Sequence, residues 1–124
     1  MRIDIQGRGF QLTAPLLEHI ERRLRFALTR TSGRIKRVLV RLGDATGPRG
    51  GEDKFCRIEV VLEDAPAVLI EDAGADLYAV IDRAAERAGR NVAKRVERLR
   101  ENARLAMPQP PASLSGDAFD MPKN

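Results

Sequence analysis

The clearest structural pattern in the chain lies in residues 76–95, DLYAVIDRAAERAGRNVAKR. Apolar side chains recur there at spacings of three and four residues, and the repeat continues to residue 105. This periodicity predicts one long helix over 76–105, with Asp76 as its N-cap. At about 100° per residue, the apolar side chains share one face: Leu77, Ile81, Ala84, Ala88, Val92, Val96, Leu99 and Ala103. The helix is therefore expected to bury this face against a sheet.

The opposite face of this helix is predicted to be basic. It carries Arg83, Arg87, Arg90, Lys94 and Arg98, which we call the basic row. Such spacings place cations about 5–6 Å apart along a helix, and guanidinium groups bind phosphate oxygens through paired hydrogen bonds, so the row can follow an RNA backbone. Arg95 lies at the edge of the apolar face and is expected to reach outward. The alternative is that these charges only coat a solvated helix surface.

Alternating apolar residues upstream of this helix predict four strands, at 2–6, 37–42, 56–62 and 67–72. Thr13 is a suitable N-cap and Pro15 suits a first helical turn, so a helix over 14–30 is predicted between the first two strands. The Gly-rich residues 43–54 are predicted to form a long, mobile hairpin loop. The order β-α-β-β-β-α predicts an α+β fold, a two-layer domain in which two helices pack on one face of a four-stranded sheet.

The length of the chain, 124 residues, suits one domain. Residues 107–124 are rich in Pro and Ser and have no apolar periodicity, so we expect one domain over 1–106 and a disordered tail over 107–124. The first residues contain no apolar segment of a secretory signal, and no apolar run has the length of a transmembrane helix. A cytoplasmic location is therefore expected.

The composition argues against catalysis. The chain has one cysteine and one histidine, so no cofactor and no metal site are expected. Cys56 alternates with core positions and is predicted to be a buried thiol, and His19 is predicted to be a solvated or packing residue. Glu71 and Asp72 are neighbours near a strand end, so their carboxylates point to opposite faces and cannot act as a pair.

The charge is distributed unevenly along the chain, although the net charge is only +4. Residues 30–49 and 77–106 are basic, and residues 52–76 are acidic. An anionic partner is therefore expected to meet one side of the molecule, with the acidic segment turned away. The first helix adds Arg22, Arg23, Arg25 and Arg30, whose charges partly serve to stabilise the end of that helix.

The sequence resembles the bacterial ribosome hibernation factors, a family that includes the hibernation-promoting factor and the ribosome-associated inhibitor and was once described as sigma-54 modulation proteins. The resemblance covers about residues 1–100 and rests on LTAPLLEHIERRL (12–24) and above all on residues 76–95. Within 76–95, the pattern Asp-x-Tyr-x-x-Ile-Asp precedes the basic positions Arg87, Arg90 and Lys94. The chain departs from the family at Phe26 and Thr29, where lysines often occur.

The resemblance implies a non-enzymatic protein that binds the small ribosomal subunit. Its contacts would be to 16S rRNA in the channel for mRNA and tRNA, so that translation stops and idle ribosomes are protected. It also implies a short form without the second, dimerising domain, expected to be a monomer in solution with no membrane and no small-molecule substrate. The predicted RNA-binding residues are Arg22, Arg23, Arg25, Arg30, Arg83, Arg87, Arg90, Lys94, Arg95 and Arg98.

A generic double-stranded RNA-binding module is the alternative, because its α-β-β-β-α core has the same element order. Such modules begin their last helix with a Lys-rich cluster, whereas this helix begins Asp76-Leu77-Tyr78. Tyr78 is predicted to be a packing residue with a hydrogen-bonded hydroxyl rather than a platform for base stacking. Since only 4% of the residues are aromatic, contacts to RNA are expected to be mainly to phosphates and steeply salt-dependent.

Overall fold

A computed structural model describes residues 1–9, 11–45 and 53–106 of the chain. In order, the elements of these ranges are β1 (Arg2–Gly7), α1 (Ala14–Ala27), a 3-10 segment (Thr29–Arg34), β2 (Ile35–Ala45), β3 (Asp53–Leu62), β4 (Val68–Gly74) and α2 (Leu77–Ala106). The predicted order β-α-β-β-β-α is confirmed. The predicted tail over 107–124 lies outside the described residues.

The strands form one mixed sheet in the order β1-β2-β3-β4. β1 and β2 are parallel, whereas the β2–β3 and β3–β4 pairs are antiparallel. A parallel pair needs a crossover connection, which α1 provides. Both helices pack on the same face of the sheet, which confirms the predicted two-layer α+β fold. By strand alternation, Arg37 and Arg41 of β2 point to the opposite face.

The core lies between the sheet and the two helices. The sheet contributes strand residues that are at most 4% exposed: Val38, Val40, Leu42, Cys56, Ile58, Val60, Leu62, Val68 and Ile70. α1 contributes Leu16, Ile20 and Leu24. Among the described residues the core contains no buried polar or charged side chain, so apolar burial and backbone hydrogen bonding stabilise this layer.

The buried face of α2 is broader than predicted and ends earlier. Val80 and Ala85 are also buried, because α2 packs against α1 as well as against β3 and β4. Towards the end of the helix, Leu99 is only half-buried and Ala103 is exposed. The last turns of α2 therefore extend past the part of the helix that covers the core.

The predicted helix over 14–30 is too long. α1 ends at Ala27, and the chain continues as the 3-10 segment. Hydroxyl groups there bond to carbonyl oxygens three or four residues earlier: Thr29 to Arg25, Thr31 to Leu28 and Ser32 to Thr29. Such local side-chain bonds compete with regular helix, which accounts for the early end of α1.

The predicted hairpin loop over 43–54 is also too long at both ends. Gly43 pairs with Phe55, and Asp44 pairs with Lys54, so β2 and β3 continue into that range. The Lys54 Nζ atom lies 2.8 Å from the Asp44 carboxylate. A Cβ atom at Gly43 would lie 2.5 Å from the Phe55 ring, so glycine leaves room for that ring to cross the strand. The centre of the predicted loop, residues 46–52, lies outside the described residues.

Cys56 is fully buried on the helix-facing side of β3, as predicted. Burial, with a smaller contribution from the nearby Asp72 carboxylate, raises the pKa of the Cys56 thiol to about 12. Because the thiolate is the reactive form, we expect no labelling of the folded protein by a thiol-specific reagent at pH 8 and full labelling in denaturant. The measurement is absorbance of the released chromophore from an aromatic disulfide reagent. Labelling of the folded protein as fast as of the unfolded chain would contradict a buried thiol.

Candidate nucleic-acid interface

The basic row lies on the outer surface of α2. All five side chains are exposed, whereas Ala84, Ala88 and Val92 point from the same helix into the core. The helix begins as predicted, because Asp76 Oδ1 accepts hydrogen bonds from the backbone N–H groups of Tyr78 and Ala79. The N-cap thus sets the start of α2, and its helical repeat places the cations on one side.

The first two members of the basic row are anchored to β4. Arg83 donates from Nε to the Asp72 carboxylate over 3.2 Å and from Nη2 to the carbonyl oxygen of Ala73 over 3.3 Å. Arg87 donates from Nη1 to the carbonyl oxygen of Glu71 over 3.0 Å, and the same nitrogen lies 3.7 Å from Asp72. Both guanidinium groups therefore have defined positions beside the sheet edge while remaining accessible.

Asp72 does not follow the expectation that the acidic segment turns away from the anionic partner. Strand alternation places this residue on the helix side of β4, opposite Cys56 in the register, where it faces the basic row. Glu71, its neighbour, is exposed. The expectation was wrong for Asp72, because the charge sum over 52–76 carries no information about which strand face each carboxylate occupies.

The other three members of the basic row have fewer partners. The Arg90 guanidinium lies 3.7 Å from the Glu86 carboxylate, one turn earlier on α2. Both side chains of this pair are well exposed. Within the described residues, Lys94 and Arg98 make no ion pair and no side-chain hydrogen bond. These three side chains are therefore available to an anionic partner, since an exposed ion pair of this kind is weak.

Arg95 does not point freely outward as expected. Its Nη1 atom donates a hydrogen bond of 2.9 Å to the carbonyl oxygen of Pro66, in the turn between β3 and β4. The side chain is half-buried. Arg95 therefore ties α2 to the sheet, and this contact could not be inferred from the helical repeat because Pro66 is remote in sequence.

The predicted RNA-binding arginines of α1 and the 3-10 segment fall into two groups. Arg22, Arg25 and Arg30 are exposed, and Arg25 lies 3.7 Å from Glu21 on the same helix. Arg23 is half-buried instead, with its Nε atom 3.1 Å from the Asp82 carboxylate of α2. That Nε atom is buried and has no aligned hydrogen bond among the described residues, so its contact with Asp82 is an ion pair only.

Asp82 also joins His19 to the start of α2. The Asp82 Oδ1 atom lies 2.7 Å from His19 Nε2, and the His19 and Tyr78 rings meet edge to face with centroids 4.8 Å apart. This contact confirms that His19 and Tyr78 pack, although Tyr78 stays 43% exposed and its hydroxyl bonds to no other described residue. The acidic and aromatic positions of the 76–82 pattern thus cap α2 and fasten it to α1.

A groove of about 660 Å³ lies between α1 and α2, beside the basic row. Phe26 lines it and is 79% exposed. The sequence pattern predicts no function for Phe26, although the position of this residue between Leu24 and Leu28 already places it off the core face of α1. Its proximity to α2 could not be read from the repeat of either helix alone.

The described ranges contain neither a candidate metal-binding cluster nor a candidate membrane-spanning helix. No group of three His, Cys, Asp or Glu side chains is arranged there to hold a metal ion. No helix formed by those residues combines the length and apolarity that crossing a bilayer requires.

Residues 3–100 match the model of the family described as sigma-54 modulation protein / S30EA ribosomal protein. The chain belongs to this S30EA family. The match spans the fold from β1 through most of α2, including the whole of the basic row, and it confirms the resemblance to the hibernation factors. No curated protein matches the chain in sequence.

Two solved structures are similar to this chain. The crystal structure of the Thermus thermophilus Protein Y N-terminal domain is 29% identical, with a TM-score of 0.65, and the match covers 76% of this chain and 98% of that one. A ribosomal subunit interface protein from Coxiella burnetii shares the fold, with a TM-score of 0.66 at 17% identity, over 78% of this chain and 99% of that one.

Proposed function

We propose that the protein is a ribosome hibernation factor that binds 16S rRNA in the mRNA and tRNA channel of the small subunit. There it would block translation and protect idle ribosomes, acting in the cytoplasm as a monomer. The observation that carries the proposal is the exposed basic row on α2, in a chain of the S30EA family. Membership of that family favours this function over a generic double-stranded RNA-binding module.

The proposed mechanism is occupancy of an RNA-lined site rather than catalysis. Arg83 and Arg87, held by β4, would bind phosphates at one end of α2, and Arg90, Lys94 and Arg98 would extend the contact along the helix. Guanidinium and ammonium groups neutralise phosphates and release counterions, which makes affinity high at low salt and independent of base sequence.

The remaining predicted RNA-binding residues fall into two groups according to their contacts. Arg22, Arg25 and Arg30 are exposed and would contact rRNA directly. Arg23 and Arg95 are engaged with Asp82 and Pro66, so we assign them to holding the two helices and the sheet in position. The interface we propose is therefore centred on the basic row and the outer surface of α1.

Co-sedimentation with bacterial ribosomes tests this function. On sucrose gradients at low salt, we expect the protein in the small-subunit and 70S fractions, with release at high salt because the contacts are to phosphates. An RNA duplex of about 16 base pairs is the competitor, since that length is enough for a generic double-stranded RNA-binding module. Absence from both ribosomal fractions at low salt, or equal binding to the duplex, would contradict the proposal.

A further inference from the structure

The groove between α1 and α2 has a volume typical of a ligand site. Its volume of about 660 Å³ lies within the roughly 300–1,000 Å³ of ligand pockets. Small residues line the α2 side, namely Ala85, Gly89 and Ala93. At Gly89 the helices approach so closely that a Cβ atom would lie 2.7 Å from the Ala27 carbonyl oxygen. The groove is therefore a concave surface between two helices in direct contact.

Phe26 gives this groove an aromatic face. The ring lines the groove and is 79% exposed, so it contributes little to the core. Single exposed hydrophobic residues are common, and Phe26 alone would indicate nothing. Its position beside an open concave surface is what makes its flat face available to another planar ring, such as a nucleobase.

The charges around the groove favour an anionic occupant. Among the described residues that line it, Arg23, Arg30 and Arg90 are cationic and Glu86 is the one carboxylate. Arg23 is held by Asp82 and Arg90 lies near Glu86, which leaves Arg30 without an ion pair among the described residues. An aromatic face with exposed guanidinium groups beside it matches the base and the phosphate of one nucleotide.

We propose that the groove holds one unpaired RNA nucleotide, with its base stacked on Phe26 and its phosphate bound by Arg30 and Arg90. This inference rests on the proposed function and deepens it by adding a single-stranded element of the rRNA to the phosphate contacts of the basic row. Stacking on Phe26 tolerates any base, so the site distinguishes unpaired from paired RNA rather than one sequence from another.

The test compares a 12-nucleotide oligouridylate with an abasic strand of the same length, both labelled with a fluorophore and titrated at low salt. Phe26→Leu removes the aromatic face and keeps an apolar side chain at an exposed position, so the fold is retained. Leu69→Ala, at a 52% exposed residue on the other face of the sheet, is the matched control. Thermal unfolding of both variants verifies that they fold.

We expect Phe26→Leu to weaken binding to the oligouridylate about tenfold and to leave binding to the abasic strand unchanged. The Leu69→Ala variant should bind both strands like the unaltered protein. Three results would overturn the proposal: equal loss of binding to both strands, no loss of binding to either strand, or no preference of the unaltered protein for the oligouridylate. The third result would point to a peptide side chain as the occupant.

The ribosome gradients separate this proposal from the proposed function. If the unaltered protein co-sediments with small subunits while Phe26→Leu binds the oligouridylate normally, the nucleotide site is wrong and the ribosomal function stands. If base-dependent binding is lost in Phe26→Leu but the unaltered protein does not co-sediment, the nucleotide site stands and the ribosomal function is wrong.

Discussion

Replacing Arg90, Lys94 and Arg98 together with Glu is expected to abolish ribosome binding without unfolding the protein. All three are exposed, and their one ion pair among the described residues, Arg90 with Glu86, joins neighbours on α2. The change would remove three of the proposed phosphate contacts and add three repulsive charges, so the dissociation constant should rise at least about a hundredfold. Filter binding with purified small subunits at two salt concentrations measures this loss.

The choice of these three residues follows from the structure. Arg87 would be a poorer choice for reversal, because a carboxylate there would face Asp72 and destabilise the contact between α2 and β4. The matched control is Glu at Arg2, Arg37 and Arg41, which changes the net charge by the same amount on the sheet face opposite the helices. Equal losses from both triple variants would show that only overall charge matters, and the basic row would lose its assigned role.

Replacing Gly89 with Ala is expected to destabilise the protein although alanine favours helix. The added Cβ would lie 2.7 Å from the carbonyl oxygen and 3.1 Å from the Cβ atom of Ala27. Overpacking against backbone atoms costs about 1–3 kcal/mol, which outweighs the gain of about 1 kcal/mol in helix propensity. We expect the free energy of unfolding to fall by about 2 kcal/mol and the melting temperature by roughly 10 °C.

Gly33→Ala is the control for this substitution. No atom lies within 4 Å of a Cβ built at Gly33, which is in the 3-10 segment. Removing a glycine there restricts the unfolded chain, so stability should stay the same or rise by up to about 1 kcal/mol. Both variants are compared by thermal unfolding followed by circular dichroism. A Gly89→Ala variant as stable as the Gly33→Ala variant would mean that the helices can separate at no cost.

The sequence predicted the elements of the fold well because its apolar residues recur at regular spacings. The alternation of apolar residues predicted the strands, and the helical repeat predicted that the basic row lies opposite the core face of α2. The ends of elements were less predictable, since polar pairs such as Asp44 and Lys54 continue a strand ladder without any apolar pattern. The end of α1 was misplaced because Leu28 continues the apolar spacing and is buried, even though regular helix stops before it.

The candidate site was predictable as a row of charges but not as a set of contacts. The anchors of Arg83 and Arg95, at Asp72 and Pro66, lie on other elements and are brought close only by the packing of α2 on the sheet. In a sequence, a glycine within a helix indicates only a weaker helix. In the folded chain, Gly89 permits the close approach of α1 that shapes the groove.

Because Arg83 and Arg87 are anchored to β4, they differ from the rest of the basic row in how much conformational entropy they lose on binding. An arginine side chain that becomes immobilised on binding loses roughly 2 kcal/mol of rotamer freedom. Arg83 and Arg87 have given up part of that freedom when the chain folds, whereas Lys94 and Arg98 retain it until a partner is bound. In the proposed interface, the start of α2 would thus be a preorganised reference point for docking, and the second half of the helix would adapt to the phosphates that it meets.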